Sequence, residues 1–320
     1  VKNNTQTTPL QAANMYPSIF LGLYPDGRVA GGKQGSNTLA VVKEGGYTSS
    51  RNDYITGKIS LSYKPVEGLD LTASFTPTYS FTKGKDWLRA IPYYDAYDTN
   101  VVLGYVSGHQ MNSLTESRND ANTHQLQVIA TYEKQFANDH NFSAMVGYEQ
   151  FYSYAESMSG GSNEMVLSDF PYLVNANKDN LVVDGSSHEE AYRSFFGRVM
   201  YNYKSRYYIQ ANVRGDGSGR FAKGHRWGVF PSVSLGWVIS NEKWMENVKP
   251  ISYLKIRGSA GSLGNERIGY YPAQASINLT NAIMFDSKGT AVTSQLAAAQ
   301  TAIAIPDITW ETTDTYDVGL

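Results

Sequence analysis

The chain has no cysteine among its 320 residues, which rules out both a disulfide framework and a thiolate metal site. It has no basic excess either. Lys and Arg number 27 against 29 Asp and Glu, a formal net charge of −2, whereas a nucleic-acid binder needs surplus cations to neutralise phosphates. No apolar run reaches the roughly 18 residues that a membrane-spanning helix requires. Charged residues make up only 18%, low for a soluble domain, and 24 Tyr, 29 Gly and many Ser, Thr and Asn take their place. The opening stretch VKNNTQTTPL is not a signal peptide. The expectation is that targeting was removed or that this is an internal piece.

What is present is strict alternation of apolar and polar residues, recurring pair by pair. Ile55, Gly57, Ile59, Leu61 and Tyr63 share one face and continue, after a turn at 65–68, as Leu69, Leu71, Ala73, Phe75, Pro77, Tyr79 and Phe81. A second hairpin sets Leu126, Val128, Ala130 and Tyr132 against Phe142, Ala144, Val146 and Tyr148. A third sets Phe195, Val199, Tyr201 and Tyr203 beside Tyr207, Ile209, Ala211 and Val213. Strands at Val229–Ile239, Leu254–Ala260 and from about Thr309 bring the count to about nine, all antiparallel.

Short turns at 65–68, 137–140 and 204–206 alternate with long polar segments at 82–121, 155–190 and 262–308, read as loops. That asymmetry belongs to an outer-membrane barrel more than to a compact soluble domain. Aromatic residues form two girdles on the apolar face. Tyr63, Phe142, Tyr203, Tyr207 and Trp237 lie near the short turns; Tyr79, Phe81, Tyr148 and Tyr152 lie near the long segments. A soluble β-sandwich would alternate too, with its apolar face turned inward. The opposite faces carry Arg198, Asn202, Gln210, Asn212, Arg214 and Asp216, which suit a wet lumen. With Arg257, the arginines Arg198 and Arg214 are expected to form salt bridges across the lumen or to hold a plug.

Catalytic chemistry is not expected. The five histidines show no HExxH or other metal spacing, and no serine sits in a G-x-S-x-G elbow. His188-Glu189-Glu190 reads as solvated charge in a polar loop, and Gly215-Asp216-Gly217-Ser218-Gly219 as a loop tip. Gly258, Gly261 and Gly264 read as bends or close backbone approaches. Trp87, Tyr93, Tyr94 and Tyr97, with Asp95 and Asp98, are the candidates for contact with substrate or lid, because aromatic faces stack on sugar rings.

One stretch is specific. Arg220-Phe221, then Arg226-Trp227-Gly228, Phe230-Pro231-Ser232, Gly236-Trp237 and Glu242 resemble the RF…RWG.FPS.S.GW.I..E signature of SusC-like TonB-dependent transporters. Leu254–Asn265 is similar to that family's LK.R.S.G..GN segment, and Trp310-Glu311-Thr312 to its WE strand. The resemblance covers essentially the whole chain. It implies an all-β, antiparallel transmembrane barrel, plugged and 22-stranded in the family pattern, of which residues 1–320 would be one part. Residues 1–50 would be mainly extracellular loop and 51–320 strands and loops, with plug and final strands absent. It further implies import of glycan oligomers or peptides through the bacterial outer membrane. A SusD-like surface lipoprotein, the TonB–ExbB–ExbD system and membrane lipid would be the partners. No nucleic acid and no cofactor of the chain's own are expected; structural calcium in the full complex stays open. A passive porin-like barrel and a soluble carbohydrate-binding module are the alternatives.

Overall fold

The computed structural model describes residues 2–3, 14, 16–246, 248, 250–285, 292–300 and 302–320. In chain order the strands are β1 (Lys2–Asn3), β2 (Gly46–Thr56), β3 (Ile59–Tyr63), β4 (Leu69–Leu88), β5 (Pro92–Tyr94), β6 (Val102–Tyr105), β7 (Ser113–Phe136) and β8 (His140–Ser162). There follow β9 (Leu181–Tyr203), β10 (Tyr207–Ser218), β11 (Trp227–Val238), β12 (Lys255–Asn265), β13 (Ile277–Phe285), β14 (Val292–Gln300) and β15 (Glu311–Gly319). One sheet takes the order β1-β2-β4-β7-β8-β9-β10-β11-β12-β15, with β3 also on β4. β5–β6 and β13–β14 are separate hairpins. From β7 to β12 successive strands are neighbours in the sheet, and the β9–β10, β10–β11 and β11–β12 pairings are antiparallel.

The turns explain the registers. Tyr203–Arg206 closes with Arg206 N–H donating to Tyr203 O at 2.9 Å, and its central residues Lys204 and Ser205 both have positive φ, 52° and 53°. That is the type I′ turn whose twist matches a tight hairpin. At the β3–β4 turn Gly68 has φ 85°, and a side chain there would collide with Glu133 O. Between β2 and β3, Gly57 N–H donates to Pro77 O at 3.1 Å, but Pro77 has no N–H to return. The strand read from sequence as continuous through Ile55–Tyr63 is therefore interrupted at 57–58.

The apolar faces are exposed. Ile59 is 74% exposed, Leu61 71%, Val229 65% and Leu235 55%. On the opposite faces of the same sheet, Ser194 is fully covered and Glu149 is 8% exposed. A water-soluble sandwich would show the reverse.

The three long polar segments are not loops throughout, which corrects the expectation. β4 continues to Leu88, β7 begins at Ser113, β8 runs to Ser162 and β9 begins at Leu181. At about 3.4 Å per residue the 24 residues of β7 extend about 80 Å, roughly twice what the membrane requires. Alternation fades in these extensions because above the membrane neither face meets lipid. Segment 262–308 likewise contains the end of β12 and the β13–β14 hairpin. His188–Glu190 lies within β9 and Gly215–Ser218 within β10, so neither is a loop. Gly217 leaves room for the indole of Trp227.

Two compact units are distinguishable. The first comprises 1–56, 78–122 and 154–188. Its helix α1 (Thr38–Glu44) is capped by Asn37, whose side chain accepts from Ala40 N–H at 3.1 Å. Val29, Ala40, Ile91 and Val106 form one small core, and Trp87, Leu114, Met165 and Ala176 another. The second unit comprises 57–77, 123–153 and 189–320, and holds β3, β10 to β15 and the hairpin turns.

Candidate functional site

The polar face of the second unit carries a continuous network. Arg214 lies at its centre, donating to Asp216 (2.7 Å), Ser194 (2.9 Å) and Glu149 (3.4 Å). Glu149 also accepts from Gln125 at 2.7 Å and from Tyr192 at 3.4 Å. Phe196 fills the space beside this group, with the Arg214 guanidinium 5.4 Å from its ring centre. Four strands, β7 to β10, are tied together by side chains on the face turned away from lipid. Arg257 lies 3.9 Å from Asp317. Arg198 has no ion pair among the described residues. The sequence pointed to the arginines but not to Glu149, Gln125 or Tyr192. The available signal was a lone carboxylate on a strand's polar face, between Gly147 and Phe151.

The signature residues form a second assembly, and Trp310 explains their spacing. Its indole N–H donates to Arg226 O at 2.9 Å, and its ring meets Phe221 and Phe230, each at 5.3 Å. Gly228 and Gly264 are required because a side chain at either would strike the Phe230 ring. Arg226 Nε donates to Phe221 O at 3.1 Å, and Thr309 donates to His225 O at 3.1 Å. Arg220 pairs with Glu190 at 2.7 Å, donates to Ile268 O at 2.6 Å and lies over the Tyr270 ring. Trp227 stacks at 6.0 Å on Phe195, which meets Tyr148 at 5.1 Å. Pro231 pairs with Val213 of β10, and the pairing of β11 with β12 begins only at Ser232, opposite Gly261. The missing N–H thus falls where β12 leaves the ladder. A side chain on Gly261 would strike Ser232, so Gly261 and Gly264 are close approaches as expected, whereas Gly258 has room.

At the other end of β11 the motif closes on Glu242. It accepts from Tyr207 Oη at 2.6 Å, Trp237 Nε1 at 3.1 Å and Arg206 at 3.2 Å. These donors hold its carboxyl below the usual glutamate range, with Tyr207 the largest influence, then Trp237. Tyr203, Tyr207 and Trp237 stack in succession at 6.3 Å, and His140 joins Tyr203 at 4.7 Å. Gly236 sits beside Lys255 and Tyr208. Trp227 and Trp237 share the apolar face ten residues apart, about 25 Å along the membrane normal at a typical tilt.

The loop candidates divide. Trp87 is 4% exposed and packed with Leu114 and Met165, so its ring is committed to a core. Tyr93 packs against the Val29 cluster and lies over Gly31 and Gly104. Tyr94 accepts at its carbonyl from Tyr24 Oη at 3.3 Å and is partly covered. Asp95 accepts from the N–H groups of Tyr97 (2.8 Å) and Asp98 (2.9 Å), which order the turn and lower its pKa, Asp98 most. Asp98 in turn accepts from Asn100 N–H at 3.1 Å. Tyr97, 97% exposed, is the most open of the four rings. Among the described residues no group of three or more His, Asp or Glu could hold a metal ion.

Exposed apolar faces between aromatic belts, with ion pairs on the reverse, define a stretch of transmembrane β-barrel wall. No described helix is long and apolar enough to cross a membrane, which is silent on strands. The chain belongs to the family described as TonB dependent receptor-like, beta-barrel, whose model matches residues 24–320, and its place is the outer membrane. It is 31% identical over 183 residues to TonB-dependent receptor P39 of Formosa agariphila, covering 56% of this chain and 17% of the relative. With TonB-dependent receptor SusC of Bacteroides thetaiotaomicron it shares 34% over 131 residues, 40% of this chain and 12% of SusC. Its fold is similar to the RagAB peptide transporter, with a TM-score of 0.69 and 22% identity over 85% of this chain and 28% of that one. It is similar also to the RagAB peptide importer in its open-open state, with the same TM-score over 96% of this chain and 31% of that one. The chain thus spans under a third of the length of these relatives.

Proposed function

We propose that this chain is part of the wall of an energised outer-membrane importer for glycan oligomers or peptides. The observation that carries the reading is the inverted sheet: apolar side chains face out, and the Glu149–Arg214–Asp216 network lines the other side. SusC-like relatives and the RagAB fold support a cap formed by a SusD-like lipoprotein and energy from the TonB–ExbB–ExbD system. The wall does no covalent chemistry in this reading; it encloses a path and fixes its lining. Deleting the gene should abolish uptake of one class, glycan oligomers or peptides, as sole nutrient, and removing TonB should do the same. Uptake that survives without TonB would turn the reading into a passive pore.

In this reading Tyr97 contacts substrate or lid, which its 97% exposure supports. Tyr97→Ala should weaken ligand capture by the whole transporter about threefold to tenfold, the value of one aromatic contact. Unchanged capture would remove this loop from the recognition surface.

A further inference from the structure

Three cations lie side by side on the membrane-facing side of the first unit. Arg51 of β2 is directly opposite Lys83 of β4. The Lys85–Glu116 ion pair at 3.0 Å, and the close approach of Gly84 to Ser117, set the register between β4 and β7. That register puts Arg118 across from Lys83 on the other side. Like charges directly opposite on neighbouring strands repel. The row spans about 10 Å, two interstrand spacings.

The charges around the row leave its centre open. Arg51 bonds Asp53 at 3.0 Å along its own strand and remains 75% exposed. Arg118 donates to Ser117 O at 2.8 Å and lies 3.7 Å from Glu116, which also serves Lys85. Asp120 falls one step membrane-ward, across from Phe81. Lys83 itself is exposed and has no ion-pair or hydrogen-bond partner among the described residues.

Height decides what can fill the gap. Tyr79 and Phe81, on the same face of β4, are 39% and 38% exposed and belong to the aromatic belt. Lys83 is the next residue outward on that face, about 5 Å higher along the membrane normal. Above it the face is closed: Tyr172 lies 4.4 Å from Lys85 Nζ, and Met165 and Ala176 cover Trp87 and Leu114. The open ammonium therefore sits in a slot between the acyl-chain region and a covering segment, at the level of lipid headgroups.

We infer that Arg51, Lys83 and Arg118 bind the phosphate of a phosphorylated glycolipid headgroup in the outer leaflet. A phosphate oxygen accepts strongly from guanidinium and ammonium donors, and one placed on Lys83 relieves the repulsion along the row.

The test uses the full-length transporter in detergent micelles doped with bisphosphorylated lipid A, or with dephosphorylated lipid A carrying the same acyl chains. Bound lipid is counted by native mass spectrometry, and the heat-modifiable gel shift reports an intact barrel. Wild type should prefer the phosphorylated lipid, and the K83Q/R118Q variant should bind it about thirtyfold more weakly. Lys83→Arg should keep the preference. If the double variant does not fold, Lys83→Gln alone should weaken binding about fivefold. Equal binding of the two lipids by wild type, or undiminished preference in the folded glutamine variants, overturns the assignment. Displacement of the lipid by excess inorganic phosphate also overturns it, because the site would then read a free anion.

Discussion

Removing Trp310 is the sharpest way to ask whether the signature residues act as one joint. Trp310 reaches Arg226, 84 residues earlier, through its indole N–H, and holds Phe221 and Phe230 by ring contacts. Each aromatic pair contributes about 0.5–1.5 kcal/mol beyond burial. The hydrogen bond adds about 0.5–1.5 kcal/mol. Trp310→Ala should therefore destabilise the full-length barrel by about 2–4 kcal/mol. Phe230→Ala removes one of the same pairs. In a double-mutant cycle the two substitutions should couple by about 0.5–1.5 kcal/mol. The assay is urea unfolding of the refolded protein in lipid vesicles, followed by the heat-modifiable gel shift. Coupling below about 0.3 kcal/mol, the error of ordinary additivity, would refute the joint and leave the motif's spacing unexplained.

Three further outcomes follow from other parts of the wall. Val233→Arg, on the exposed apolar face of β11, should cost about 2–4 kcal/mol in lipid vesicles if that face meets the bilayer midplane, and almost nothing if it meets water. Ser205→Gly, at φ 53° in the type I′ turn, should stabilise the hairpin by about 0.5–1 kcal/mol, read as a raised urea midpoint; a lowered midpoint would mean that the Ser205 side chain matters more than its backbone strain. Glu242 has a depressed folded-state pKa, so its contribution is complete above the ordinary value of 4.5 and is lost as pH falls through the depressed one. Acid titration should loosen the short-turn end in this window, and Glu242→Gln should abolish that pH step; an unchanged step would place its origin elsewhere.

The hairpins were legible because one face meets lipid and the other does not, which writes a period of two into Val229–Trp237 and Phe195–Tyr203. Where β7 and β9 rise above the membrane, neither face meets lipid and that contrast disappears. Ser113–Ala121 and Leu181–Glu190 consequently read as loop while remaining paired backbone. Helix α1 was missed for a different reason: TLAVVKE makes barely two turns, and its signal was only Asn37 before it and Gly45 after it. The signature could be recognised, but its cause could not, since Trp310 and Phe230 meet only through the fold. Burial separated Trp87 from Tyr97, and no local pattern distinguishes a ring in a loop's core from one at its tip.

Because β8 to β11 each pair only with sequence neighbours, the wall is modular in a particular sense. Excising β9 and β10 together would bring β8 beside β11 with antiparallel polarity preserved and the apolar faces still outward. Excising either alone would set two parallel strands side by side and reverse the chain's direction for everything that follows. The circumference of such a wall therefore changes by whole hairpins without disturbing its antiparallel pairing, whereas a single-strand change must introduce a parallel pair.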